Sequence, residues 1–161
     1  MKCQSKVVHF VVVLFQLLDI NMEKYVNSIL MIRPSNFRKN IQTTKNNFFQ
    51  KKFKVENKQN ILEQSIKEFD QLVSKLINCG FEVYTFQDDL KNDTPDSIFP
   101  NNWITFHQNK TICLFPMYAK NRRLERDQRV LEFLESKNLI FNEIYNYSEV
   151  ENDGIFLEGT G

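Results

Sequence analysis

The sequence predicts an α/β domain from three stretches. Ile29, Leu30, Met31 and Ile32 form a continuous apolar run stopped by Arg33-Pro34, the pattern of a strand in a sheet covered on both faces. Residues 60–78 place apolar side chains at 62, 66, 69, 73 and 76, a single helical stripe, and Gly80 stops them. Residues 81–86 then alternate, with an apolar face on 81 and 83 reaching toward 85, and a helix that passes at once into a strand is an α/β unit. A length of 161 residues suits one domain with a sizeable core.

Taken in order, the chain begins with Lys2, Lys6 and an apolar run over 7–18 interrupted by His9 and Gln16. Twelve residues are too few to span a bilayer, so no stable membrane insertion is expected. The positive start and short apolar region match two parts of a secretory signal, but 19–28 offers no small-x-small cleavage site. Met22 stands as an alternative start just ahead of the first strand, and residues 1–27 read as an extension, with 1–21 dispensable for folding. His9 has no ligand partner nearby and reads as a bystander.

After the 29–32 strand, residues 35–54 are rich in Asn, Gln, Thr and Lys without periodicity. They read as a long connection that Phe37, Phe48, Phe49 and Phe53 pin to the body. Asn60 and Glu63 suit a capping pair at the start of the helix. Residues 103–106 and 111–115 flank His107-Gln108-Asn109-Lys110 and read as a hairpin, with His107 a solvated residue at its tip. A helix follows with Leu124, Val130, Leu131 and Leu134 inward, then a strand over 139–144, a polar turn at 152–154, and a strand over 155–158 that delivers Glu158 into a glycine-flanked bend.

Twenty-one basic and twenty acidic residues leave a formal charge of +1, so no global field points to nucleic acid or to an anionic membrane. Cys3, Cys79 and Cys113 are odd in number and share no CxxC spacing. This suits a reducing, cytoplasmic setting, with Cys79 and Cys113 as inert packing residues.

Chemistry concentrates between Thr94 and Trp103, where Pro95 and Pro100 stiffen a loop bearing Asp96, Phe99 and Asn102. Such a loop can receive a planar cationic group, with Asp96 for charge, Asn102 as donor and acceptor, and Phe99 as a wall. It also fits an ordinary proline turn whose Asp and Asn satisfy their own backbone. Arg122, Arg123 and Arg126 crowd the start of the next helix, where cations oppose the macrodipole. Either they clamp an anionic group such as a carboxylate, or they form a solvated basic face paired with Glu125 and Asp127.

Five ordered blocks carry a resemblance: Met31-Ile32-Arg33-Pro34; Gln42-Thr43 with Asn46-Asn47 and Phe49-Gln50; residues 94–103; Met117-Tyr118 with Asn121-Arg122-Arg123 and Glu125-Arg126; and residues 156–161. Over 28–161 the chain resembles the arginine-deiminase-related amidinotransferase family, and within it the citrulline-utilization hydrolases, relatives of dimethylarginine dimethylaminohydrolase. The resemblance implies the pentein fold, in which ββαβ modules circle a central site in pseudo-fivefold order, with about the first two to three modules here.

It further implies that Asp96 hydrogen-bonds the guanidinium or ureido group of a small amino-acid substrate, that Phe99 lines the pocket, that Arg122 holds the substrate's α-carboxylate, and that Glu158 orients the catalytic histidine. Asn102 stands where the dimethylargininases carry a second Asp, which suits a neutral ureido group such as citrulline's. The family's cysteine nucleophile and its histidine follow the Glu-Gly motif, beyond these residues, and neither metal nor cofactor is implied. The expectation is therefore the amino-terminal portion of a C–N hydrolase, inactive alone and either insoluble or soluble but poorly cooperative. The alternative is a non-catalytic module that binds arginine-like ligands or a protein partner.

Overall fold

The computed structural model describes residues 13–15, 27–43 and 58–159. His9, Cys3, the connection over 44–57 with Phe48, Phe49 and Phe53, and Thr160 and Gly161 lie outside the described residues. Two three-stranded sheets share one connectivity. In the first, β1 (Val13–Phe15) runs antiparallel to β2 (Ser28–Arg33), and β2 runs parallel to β3 (Glu82–Gln87) with Leu30 opposite Tyr84. A parallel neighbour requires a crossover, and α1 (Lys58–Asn78) supplies it. In the second, β4 (Ile104–Phe106) and β5 (Thr111–Leu114) form the hairpin, and β6 (Glu143–Asn146) lies parallel to β5. The crossover there carries α2 (Lys120–Arg123) and α3 (Gln128–Ser136). Both sheets are thus an antiparallel pair, a helical crossover and a parallel third strand, with the second strand in the middle.

Strand β2 explains its own composition. Ile29 and Met31 meet Phe69, Leu72 and Val73 of α1 on one face, while Leu30 and Ile32 join Trp103, Met117 and Leu134 on the other. Both faces are covered, so a period-two pattern would leave polar groups buried, and the strand reads as continuously apolar. The larger core binds the two sheets together, since Tyr84 of the first packs in the same cluster as Ile104, Ile112 and Leu131 of the second module. Strand β3 is two-sided as well: Phe81 and Val83 face α1, whereas Tyr84 and Phe86 face the larger core.

Several expected boundaries move, each for a local reason. Helix α1 begins at Lys58, so Asn60 lies exposed inside the first turn and does not cap it. Gly80 ends it as expected, at φ +91°. The helix expected to follow the arginines is broken in two: Asp127 leaves helical geometry (ψ 122°) and caps α3 by accepting from the Arg129 backbone N–H at 3.0 Å. Leu124, in the break, is 47% exposed, while Val130, Leu131 and Leu134 are buried as expected. Residues 139–142 are not strand. Asn138 takes φ +63° and Leu139 donates back to the Leu134 carbonyl at 3.1 Å, so the chain turns before β6 can form. The last residues are likewise no strand: a 3-10 helix (Ser148–Asp153) ends at Gly154, and the segment beyond is held by single backbone bonds, Leu157 to Pro116 O at 3.1 Å and Gly159 to Asn102 O at 2.8 Å.

The stretch 1–27, expected to stand outside the domain, contributes the backbone of β1 to the edge of β2.

Candidate functional site

The proline loop folds as a chain of tight turns, not as an extended strap. Phe99 donates to the Asp96 carbonyl at 3.0 Å, and the 3-10 turn Pro100–Asn102 closes with Trp103 donating to Pro100 O at 3.0 Å. Trp103, 2% exposed, anchors the turn in the core. Asp88 anchors its other end, where one carboxylate oxygen accepts from Ser97 Oγ at 2.7 Å, Thr94 Oγ1 at 3.2 Å and Ser35 Oγ at 3.3 Å. Pro95 and Pro100 lie between these anchors and limit the backbone's freedom.

All five residues singled out from the sequence meet here. Asp96 is buried, and its Oδ2 accepts from Asn40 Nδ2 at 2.7 Å and Thr43 Oγ1 at 3.4 Å. Asn40 exchanges amide bonds with Asn121 (3.3 and 3.0 Å), which brings the 40–43 turn onto α2. Arg122 is the hub. Its guanidinium pairs bidentately with Glu125, Nε to Oε1 at 3.0 Å and Nη2 to Oε2 at 2.9 Å. It also donates from Nη1 to Asn102 Oδ1 at 2.8 Å and from Nη2 to the Phe99 carbonyl at 3.3 Å. Asp96 Oδ2 lies 4.0 Å from its Nε, and Glu158 Oε2 lies 3.7 Å from Nη1.

The Glu-Gly motif docks onto the same turn. Gly159 donates to the Asn102 carbonyl at 2.8 Å and accepts from Asn102 Nδ2 at 2.6 Å, while Tyr118 N–H donates to Glu158 Oε1 at 3.1 Å. A Cβ at 159 would stand 2.3 Å from the Asn101 carbonyl oxygen, so only glycine allows the approach. The result has two tiers. Asp96, Arg122, Glu125, Asn40 and Asn121 are buried, and Phe99, Asn102 and Glu158 are partly open in front of them.

The Arg122–Glu125 pairing expected from the sequence is present, but it is buried and not part of a solvated face. Arg122 pairs with Glu125, while Asp127 turns away to Arg129, and Arg123 and Arg126 share Glu151 at 3.4 and 2.7 Å. Four of the five guanidinium hydrogens of Arg122 are therefore engaged within the protein. Burial raises the Glu125 carboxyl, Arg122 opposes it, and Asp96 and Glu158 reinforce it, leaving it pushed up to about 7. Burial works against the Arg122 charge, but Glu125 above all, with Asp96 and Glu158, holds its pKa above the ordinary arginine value. Three carboxylates surround one guanidinium, so the cluster carries a negative excess that a second cation would relieve.

Asn40 and Asp88 escaped the sequence reading because short polar side chains in loops are also ordinary turn formers, and Asn121 entered it only as part of a block, without a role. The exposed Cys79 follows the end of α1, Cys113 lies inside β5, and the exposed His107 shares a hydrogen bond with Thr105 Oγ1 at 3.0 Å at the hairpin end. All three sit on elements other than the proline loop, α2 and the Glu-Gly motif. Among the described residues no group of three or more His, Cys, Asp and Glu is arranged to hold a metal ion, and no helix is long and apolar enough to cross a membrane. No curated protein and no solved structure matches the chain. One family model does: that of N,N dimethylarginine dimethylhydrolase, eukaryotic, matches residues 33–161. That span takes in every element after β2 and each of the five converging residues, and the chain belongs to the N,N dimethylarginine dimethylhydrolase family.

Proposed function

We propose that residues 28–161 supply the substrate-binding part of a hydrolase that cleaves a C–N bond in a cationic guanidino amino acid, a methylated arginine being the substrate the family's name carries. One observation carries this reading: three carboxylates around a single guanidinium leave room, electrostatically, for a second one. Asp96 takes the guanidinium's charge, Phe99 bounds its plane, and Asn102 and Glu158 line the open tier. Arg122 either meets the substrate's α-carboxylate with its remaining hydrogen or holds the tier in place. Glu158 stands beside the reacting group, at the catalytic position that the family resemblance implies.

The Asn at 102 does not by itself make the region suited to a neutral ureido group. Both ends of its amide are spent joining Arg122 to Gly159, and Glu125 adds a carboxylate within the same network. Citrulline remains the competing substrate. The cysteine thiolate and the proton-shuttling histidine of the resemblance follow the Glu-Gly motif, so turnover is proposed to need residues outside this stretch. The shared connectivity of the two sheets supports reading them as successive ββαβ modules of a pentein propeller, the first opening with β1.

Calorimetric titration of the 161-residue chain with Nω,Nω-dimethyl-L-arginine, L-arginine and L-citrulline tests the reading. The cationic ligands are expected to bind more tightly than citrulline, and Asp96→Asn is expected to erase the preference. Tighter binding of citrulline by the unsubstituted chain would overturn the cationic assignment. Citrulline release from dimethylarginine by these residues alone would overturn the proposal that turnover needs others.

A further inference from the structure

We propose that Glu125 and Arg122 are a positioning pair: Glu125 grips the Arg122 guanidinium from behind, and Arg122 in turn sets the orientation of Asn102 and holds Glu158 against the proline loop. Neither side chain of the pair need touch the ligand. The proposal rests on the guanidino-ligand reading for its purpose, but its geometry stands apart from any ligand.

The donor count carries it. Two of the guanidinium's five hydrogens go to Glu125 in a planar fork, one to Asn102 Oδ1 and one to the Phe99 carbonyl. The fork fixes the guanidinium plane, because a bidentate pair cannot rotate without losing a bond. The fixed plane then decides which end of the Asn102 amide faces it: Oδ1 accepts from Arg122, which turns Nδ2 to the Gly159 carbonyl at 2.6 Å. Asn102 is thereby a bracket between loop and Glu-Gly motif, and its orientation is inherited from Glu125 two contacts away. The Glu125 side chain is 1% exposed and that of Arg122 6%, whereas the Glu158 side chain is 34% exposed. The gradient places the pair behind the surface a ligand would meet.

Glu125 faces Arg122, Asp96 and Glu158, and it shares with Asp88 and Asp127 a cavity of about 20 Å³ that Trp103 also lines. That is room for about one water molecule, too little for a ligand. The side-chain hydrogen bonds of Glu125 run to Arg122, through which it reaches Asn102.

The test reads the bracket directly. In two-dimensional NMR of the full chain, the side-chain amide of Asn102 and the backbone amide of Gly159 report the linkage. Glu125→Ala is expected to displace both signals, and Glu125→Gln, which keeps an oxygen acceptor for the Arg122 Nε–H, is expected to restore them in large part. A folded Glu125→Ala protein with both signals unmoved would overturn the proposal. Should that variant not fold, Arg122→Lys is read in the same way, because an ammonium cannot span Glu125, Asn102 and Phe99 together. Unmoved signals there would again overturn it.

A ligand arm separates positioning from direct contact. Dissociation constants are measured for Nω,Nω-dimethyl-L-arginine and for agmatine, which lacks the α-carboxylate. A positioning pair weakens both ligands by a similar factor in Arg122→Lys, about tenfold if one charge-assisted hydrogen bond is misaligned. A loss confined to the carboxylate-bearing ligand would make Arg122 a substrate clamp and overturn the assignment. If the unsubstituted chain binds neither ligand, the guanidino reading falls, and the NMR arm still decides the pair.

Discussion

Arg122 is surrounded by carboxylates in the protein's interior, so its removal is expected to be felt through what it leaves behind. Arg122→Ala would strand Glu125, which has almost no exposure to water, and such one-sided deletions of buried ion pairs destabilise by roughly 3–5 kcal/mol. Chemical denaturation of the variant checks this; a loss under about 1 kcal/mol would mean that Glu125 takes up a proton at little expense. At this scale the sequence displayed Asp96, Phe99, Asn102, Arg122 and Glu158 as candidates, because prolines, a glycine and an arginine cluster are local signals that survive without a structure. It did not display their order of dependence. Glu125 was given no role but that of a partner on a solvated face, yet it is more buried than the arginine it holds. Nothing local distinguishes a surface i,i+3 pair from a buried one, since the spacing is identical and only tertiary packing removes the water. Asn40 and Asp88, which hold Asp96 and the loop's first turn, were hidden for the same reason.

Elements show where that packing overrides local preference. Helix α1, strand β2 and the hairpin were legible because their apolar periods are long or continuous and glycine or a polar turn ends them. The break between α2 and α3 was not, because Leu124 and Leu131 stand seven residues apart, in helical phase across Asp127. The docked segment after Gly154 reads as a strand in sequence because its apolar residues resemble one, yet its bonds go to scattered loop positions, 150, 116, 118 and 102, and not to a neighbouring strand. Gly159→Ala tests that docking. The added methyl meets backbone, not a movable side chain, so the segment must lift away. We expect increased hydrogen exchange at residues 157–159 together with weaker guanidino binding, and an Ala variant indistinguishable in both would show that the approach can relax. Removing residues 1–21 takes β1 from the edge of β2. The truncated chain is expected to fold with a melting temperature lower by several degrees, because a central buried strand becomes an edge; no change would return residues 1–21 to the dispensable role expected from their sequence.

For the molecule as a whole, Glu125 gives stability an uncommon pH dependence. Its native pKa, near 7, lies above the ordinary 4.5, so between these values the native state holds a proton that the unfolded chain has released. Stability from this group is greatest in acid and declines as pH rises toward about 7, then levels. Asp127, beside Arg129, is lowered and acts in the opposite sense, its contribution fading as acid is added. Melting curves of wild type and Glu125→Gln are therefore expected to diverge across the interval below neutrality and to run parallel above it. A constant gap would exclude titration of Glu125.

The shared core bears on the order in which this chain folds. Strand β2 must find β3 across a separation such as that between Ser28 and Glu82, whose side chains bond over 54 positions, whereas the β4–β5 hairpin closes over a few residues. Loop closure makes the distant pairing slower. Asn40 reaches Asn121 over a still longer interval of 81 positions, and Asn102 reaches Gly159 over 57. Among the described residues, the polar framework around the carboxylate cluster thus depends on long-range contacts, while Arg122 and Glu125 meet within a single turn. In a refolding experiment Trp103, the single tryptophan, should lose its solvent exposure before any guanidino ligand can bind, and the delay between the two events is the time the chain takes to build its site on a core that already exists.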